Sequence, residues 1–317
     1  MEEKLLEVQN LKKYFGTKKG MLHAIDDVSF HINKGETLGL VGESGCGKST
    51  TGRAILRLHE PTSGQVRYRG EDIVKYDKGK MKEMRRKMQI VFQDPYSSLN
   101  PRLTTSELIA EPLFVNRVYH GAEQIEARVK EVMDIVGLEE RLLNAYPHEL
   151  DGGRRQRIGI ARALALKPEF IVLDEPVSAL DVCIQAQILN LLNKLQKELD
   201  LTYMFISHNL SVVKHVSDRI AVMYLGKIVE LSDYKAIFKK PLHPYTKALL
   251  SAIPIAKVDM KMERIILEGD VPSPVNPPAG CRFYGRCSYR EDICKEKTPE
   301  LSDVGDNRYV ACHFVGK

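Results

Sequence analysis

Runs of four or five mostly apolar residues at 37–41, 89–92, 170–173, 203–206 and 220–223 punctuate the chain, and longer stretches of helical period lie between or after them, at 49–58, 156–166 and 184–199. Short buried runs alternating with helices predict an α/β fold in which a mainly parallel core sheet is covered by helices on both faces. Ahead of this alternation, residues 5–15 (LLEVQNLKKYF) and 24–33 (AIDDVSFHIN) read as strands of an antiparallel sheet. Beyond about residue 250 the texture changes. The stretch 269–280, GDVPSPVNPPAG, is too rich in Pro and Gly for a helix or a central strand and reads as a linker wrapping the surface. The expected organisation is one large domain at 1–250, with an antiparallel β subdomain and a helical subdomain, and an extension at 251–317.

Length and composition agree with that division. With 317 residues and 35.9 kDa the chain can bury a sizeable core and still carry a small second module. It is 43% hydrophobic and 28% charged, as a soluble globular protein is. The net charge of +5 is mild and spread out and by itself neither demands nor excludes an anionic partner; nucleic-acid binders usually show a stronger basic stripe, and no nucleic-acid partner is expected. The charged N-terminus has no signal-peptide character, and no apolar run reaches the ~18 residues needed to span a bilayer. The expected location is cytoplasmic, with membrane attachment only through partners.

Chemistry enters at Gly42-Glu43-Ser44-Gly45-Cys46-Gly47-Lys48-Ser49, which satisfies G-x-x-x-x-G-K-S between a strand-like run and a helical one. Glycines there let backbone N–H groups turn onto phosphate oxygens, and the following helix, opening at Ser49 and Thr50, adds its positive end. Lys48 would reach the β- and γ-phosphates, and the Ser49 hydroxyl would ligate Mg²⁺. The second element is 170–175, four apolar residues and then Asp174 and Glu175. A buried strand ending in two acids puts both at the carboxyl edge of the sheet, where ligands of α/β folds bind. Asp174 would hold Mg²⁺ through water, and Glu175 would act as general base on an attacking water.

Gln93 in VFQDPYSSLNP, His208 in FISHNL, Asp181 in SALD and the segment Leu150-Asp151-Gly152-Gly153-Arg154 complete a set in a fixed order. Over roughly residues 4–250 this set resembles the nucleotide-binding subunits of ABC transporters. The resemblance implies an ATPase that closes as a dimer around two ATP molecules. Gln93 then contacts Mg²⁺ and the lytic water, His208 touches the γ-phosphate, and Asp181 with Asp151, Gly152 and Gly153 meets the partner's nucleotide. It also implies an aromatic that stacks on adenine within KKYFG. Phe15 is the first choice and Tyr14 the second.

The sequence departs from the family's L-S-G-G-Q at two places, with Asp151 for Ser and Arg154 for Gln. Both Asp and Ser cap helices well. A carboxylate at an anion-binding helix start nevertheless opposes phosphate, by up to ~4 kcal/mol per charge pair at ~4 Å before screening. The site it completes is therefore expected to be weakened, or one of an unequal pair, unless Asp151 turns away. Arg154 could offset part of the charge.

The segment 241–250, PLHPYTKALL, the GDVPSP linker and the long VFQDPYSSLNPR form resemble ATP-binding subunits of dipeptide, oligopeptide and nickel importers. Taken by itself, HPYT is a turn docking an amphipathic helix. Cys46 and Cys183 need no special role, but Cys281, Cys287, Cys294 and Cys312 crowd the end of the chain as C-x5-C-x6-C-x17-C. In a reducing cytosol such a cluster favours metal ligation over disulfides. These gaps suit zinc knuckles less well than a 4Fe–4S cluster, which related importer subunits carry in some members; zinc, free thiols and disulfides stay open as alternatives. The sequence thus predicts an ATPase powering dipeptide or oligopeptide import. Its expected partners are a paralogous or identical ATPase subunit, two transmembrane permeases and, indirectly, a solute-binding protein. A soluble ABC ATPase acting on nucleic acid or ribosomes is the competing reading, though this chain has no fused second ATPase. A non-hydrolysing partner is disfavoured by intact Lys48, Asp174, Glu175 and His208.

Overall fold

The structure, a computed structural model, describes residues 3–119, 121–253 and 264–315. They form two compact units, one from residues 1–75 and 205–317 and the other from 76–204.

In the first unit, β1 (Lys4–Thr17) and β2 (Gly20–Asn33) form a long antiparallel hairpin. Leu5, Leu6, Val8 and Leu11 of β1 are buried together with Ile25, Val28 and Ile32 of β2. β3 (Thr37–Val41) is buried along its whole length and leads into α1 (Lys48–Ile55). β4 (Ser63–Tyr68) pairs antiparallel with β1 and with β5 (Glu71–Asp72), so the hairpin sheet runs β2-β1-β4-β5.

The second unit begins with α2 (Lys78–Lys87), capped by the Asp77 carboxylate, and β6 (Met88–Val91). The short α3 (Pro95–Ser98), α4 (Thr105–Asn116), α5 (Ala122–Ile135) and α6 (Gly152–Leu164) follow. Helices α4, α5 and α6 pack on one another through Leu108, Ile109, Leu113, Val129, Val132, Ile158 and Ala161 and constitute the helical subdomain. Arg128 is buried beneath α6, where its guanidinium donates to the carbonyls of Leu164 (2.7 Å) and Ala165 (3.2 Å) and satisfies the helix end. β7 (Phe170–Asp174) lies parallel to β6, with Val91 opposite Leu173, and α7 (Val182–Leu199) follows.

β8 (Thr202–Ser207) carries the chain back to the first unit, where α8 (Leu210–Val216) precedes β9 (Arg219–Tyr224), parallel to β3. β10 (Lys227–Asp233) turns back antiparallel to β9, and α9 (Tyr234–Lys239) and α10 (Pro244–Ser251) follow. α11 (Asp292–Glu296) and two short strands, β11 (Ser302–Asp303) and β12 (Tyr309–Val310), come last; β12 pairs antiparallel with β10 and β11.

Each strand foreseen in the alternation is present within a residue or two. One helix start moves further, because a cap rather than apolar period sets it: α6 starts at 152, four residues before the periodic stretch, where Asp151 caps it. The 269–280 segment forms no helix, but it is pinned rather than loose. His23 N donates to Pro274 O (2.9 Å), Asn276 N to Met21 O (2.9 Å), and Met21 N to the Asn276 side chain (2.9 Å), which sews the segment to β2. By packing, the extension therefore belongs with the P-loop unit. Among the described residues no helix is long and apolar enough to cross a membrane.

Candidate functional site

The phosphate loop joins β3 to α1. Gly47 caps α1 at φ +107°, and a Cβ on it would lie 2.0 Å from the Ala24 carbonyl, so a side chain is excluded by shape as well as by backbone angle. Lys48 is buried, and its ammonium donates to the carbonyls of Gly42 (2.8 Å) and Glu43 (3.0 Å), curling the loop around the charge. Ser44 and Gly45 form the exposed rim, while Ser49 and Thr50 sit half-buried on the first turn of α1. Burial raises the pKa of the Cys46 thiol, leaving it a small hydrophobe inside the loop.

Of the two candidate aromatics, Tyr14 is committed to its own unit. Its ring stacks on His23 at 3.9 Å, and its hydroxyl donates to Asp26 at 2.6 Å. Burial and that carboxylate hold the phenol well above its ordinary pKa. Phe15 is half-exposed, edge-on to His59 at 5.6 Å.

In the second unit the parallel register does the positioning. Val91 of β6 faces Leu173 of β7, so Gln93 and Glu175 each leave the sheet two residues past a matched pair. The Gln93 amide donates to Glu175 Oε2 at 3.0 Å. Asp174, the last residue of β7, is fully buried. Glu175 takes φ +47°, a left-handed angle that costs a non-glycine residue about 1 kcal/mol or more and turns the chain sharply off the strand. In the first unit, His208 follows β8 and is exposed.

The altered signature is a closed electrostatic pair. Asp151 Oδ1 accepts from Arg154 N at 2.8 Å, capping α6, and Oδ2 pairs with the Arg154 guanidinium at 3.2 Å. Glu139 stands 3.9 Å from the same guanidinium. Asp181 caps α7 in the same manner, accepting from Ile184 N at 3.0 Å. The two segments abut: a Cβ on Gly153 would come 2.8 Å from an Ile184 side-chain methyl and push it aside, and Gly152 lies beside Leu180.

Cys281, Cys287, Cys294 and Cys312, far apart in sequence, line one small cavity with Phe283, Tyr284, Tyr289, Phe314, His243 and His313. All six cysteines are free thiols. Burial raises the pKa of Cys287 and Cys312, and pushes Cys281 up to about 11. Among the described residues, however, no group of three or more His, Cys, Asp or Glu side chains is spaced to hold a metal ion. The convergence foreseen from spacing is present, but ready-made coordination geometry is not.

Sequence reasoning took HPYT as structural, and its His243 is that: it is fully buried, and its Nδ1 caps α10 by accepting from Tyr245 N at 3.1 Å. It missed Tyr245, whose hydroxyl accepts from Glu43 N in the phosphate loop at 2.9 Å. It also missed Arg286, paired with the Glu43 carboxylate, and Arg282, paired with Asp26 beneath Tyr14. An arginine between cysteines carries no motif, so these contacts had no signal.

Comparison with known proteins adds an independent line. Residues 25–178 match the ABC transporter family, and residues 229–294 match the oligopeptide/dipeptide transporter C-terminal region. The chain is 51% identical to the oligopeptide transport ATP-binding protein AppF of Bacillus subtilis, over 99% of this chain and 98% of that one. It is 53% identical to the putative oligopeptide transport ATP-binding protein YkfD of the same organism, over 98% and 95%. A putative peptide import ATP-binding protein of Brucella abortus is 50% identical, over 98% of each. Among solved structures, the ATP-binding cassette MJ0796, seen as a dimer in a post-hydrolysis state bound to ADP and Pi, matches with TM-score 0.66 and 32% identity, over 72% of this chain and 98% of that one. cbiO1 of Clostridium perfringens, part of the ABC transporter complex cbiONQ, matches with TM-score 0.67 and 27% identity, over 75% and 92%.

Proposed function

The chain belongs to the ABC transporter ATPases, on the oligopeptide/dipeptide branch, and from that premise we propose that it is the ATP-hydrolysing subunit that powers peptide import through a membrane permease. The observation that carries hydrolysis is the 3.0 Å contact between Gln93 and Glu175 at the ends of paired parallel strands. It supports a water-activating carboxylate held by a neighbouring amide. Residues 1–250 do the nucleotide work and 251–317 extend them.

Lys48 and the backbone N–H groups of Gly42 to Thr50 bind the phosphates, and Phe15, free of the hydrogen bond that ties Tyr14, stacks on adenine. Ser49, Gln93 and Asp174 would hold the magnesium ion that arrives with ATP, which would supply charge neutralisation at the phosphates. Glu175 takes the proton of the water that attacks the γ-phosphorus, and His208 donates to a γ-phosphate oxygen. Asp151, Gly152, Gly153 and Asp181 face the nucleotide of a second cassette, identical or paralogous. The pair docks on two permease subunits at the cytoplasmic face of the membrane.

The four cysteines would hold a 4Fe–4S cluster that staples the extension, once their thiols close from the shared cavity onto it. Their convergence on one cavity inside an aromatic shell supports a shared four-thiol site, and the wide C-x5-C-x6-C spacing favours a cluster over a zinc knuckle there.

The test of the main reading is twofold. Purified chain should hydrolyse Mg-ATP and lose ATP binding as Lys48→Ala. Cells lacking the chain should recover uptake of a labelled oligopeptide with the wild type and not with Glu175→Gln. Uptake that recovers with Glu175→Gln overturns the reading.

A further inference from the structure

A loop that surrounds phosphates carries a carboxylate of its own, Glu43, the second residue of the Gly42–Ser49 motif. Left unpaired there, it would oppose the polyphosphate it helps to enclose. Two contacts from the C-terminal part of the chain control it. Arg286 Nη1 straddles the carboxylate, 3.1 Å from Oε1 and 2.8 Å from Oε2, with both side chains largely shielded from water. The Tyr245 hydroxyl takes the Glu43 N–H at 2.9 Å and fixes the backbone of the loop.

The origin of these two groups matters. Arg286 lies on the short loop between Cys281 and Cys287, and Tyr245 is the tyrosine of HPYT, fully buried on α10. Phe283 of the same cysteine loop is 2% exposed and meets Tyr224 edge-on at 5.2 Å and Tyr245 at 5.5 Å. Tyr224 and Tyr245 are themselves 4.7 Å apart. An aromatic wedge therefore fixes the cysteine loop against the side of the phosphate loop. A second arginine of that loop, Arg282, pairs with Asp26, the acceptor of the Tyr14 hydroxyl. One seven-residue segment, 281–287, thus grips both the β1–β2 hairpin and the phosphate loop.

We propose that Arg286, supported by Tyr245, is a positioning residue for the phosphate loop: it neutralises Glu43 and turns it from the nucleotide, so the cysteine loop sets ATP affinity. The inference rests on the reading of Gly42–Ser49 as the ATP site. The aromatic wedge alone would make Arg286 a structural staple. The charge on Glu43 distinguishes the two, because only a positioning role is relieved by removing that charge.

The experiment titrates the full-length chain with a fluorescent ATP analogue and Mg²⁺ and measures steady-state ATPase. Lys48→Ala, which should abolish binding, tests the underlying reading separately. Arg286→Ala should weaken binding about tenfold while kcat at saturating ATP stays within about threefold, and Arg286→Lys, which keeps the charge, should lose less. Adding Glu43→Gln to Arg286→Ala should restore affinity to within about threefold of wild type. Wild-type affinity in Arg286→Ala, or no rescue by Glu43→Gln, overturns the proposal. Should Arg286→Ala fail to fold, the single variant Glu43→Gln decides: it uncovers a cation beside the phosphates, so affinity should hold or rise, and a fall of more than about threefold overturns the proposal.

Discussion

Arg154 closes on both faces of Asp151: its backbone N–H takes one carboxylate oxygen as a helix cap, and its guanidinium takes the other at 3.2 Å. The two departures from L-S-G-G-Q are therefore a single unit, and the expected repulsion of phosphate is offset at its source. Arg154→Gln alone should uncover the carboxylate and lower ATP-driven dimerisation and turnover several-fold. Asp151→Ser with Arg154→Gln should recover both, since it restores a neutral cap. A double-mutant cycle on ATPase rate checks this, and strictly additive effects would sink the pairing.

Glu175→Gln should retain ATP binding and reduce turnover below about a tenth of wild type, because an amide cannot take the proton of the attacking water. Gln93→Ala should cost less, since it removes the partner at 3.0 Å and leaves the carboxylate. Single-turnover hydrolysis separates the two, and equal losses would move the base elsewhere.

Anaerobically purified protein should be brown, with absorbance near about 400 nm and iron approaching about four per chain. Cys287→Ser should lower both the iron content and the thermal midpoint while the Lys48 site still binds ATP, more weakly if the cysteine loop slackens. Colourless protein with one zinc would replace the cluster by a mononuclear site.

His243 gives the fold an acid limit. Burial presses its pKa down to about 3 from an ordinary value near 6.5, so the folded state holds it neutral. Above pH ~6.5 both states are neutral and the contribution is complete. Below that, the unfolded imidazole binds a proton that the folded one refuses, and stability falls by up to about 1.4 kcal/mol per pH unit until pH ~3. His243→Asn keeps a cap acceptor for α10 and should flatten the thermal midpoint between pH 6.5 and 5, where carboxylates contribute little. An unchanged slope in that variant would assign the effect to another group.

The linear chain was enough for the strands, the order of the motifs and the places of Lys48, Asp174 and Glu175 at a helix start and a strand end. Apolar period and glycine placement are local properties, and a buried strand ending in two acids needs no partner to be read. The helix starts were less legible, because a cap such as Asp151 or Asp181 overrides the apolar period and lies outside it. What tertiary structure decided is which charges meet. The register of β6 on β7 brought Gln93 to Glu175 across 82 residues, and packing of the extension brought Arg286 to Glu43 across 243. Spacing carried the four cysteines only as far as a cluster; their shared cavity, and the tie of their loop to the phosphate site, came from the fold. The reason is physical. A salt bridge or shared cavity depends on distance in space, and the chain records only distance along itself, so such contacts leave no periodic trace to read.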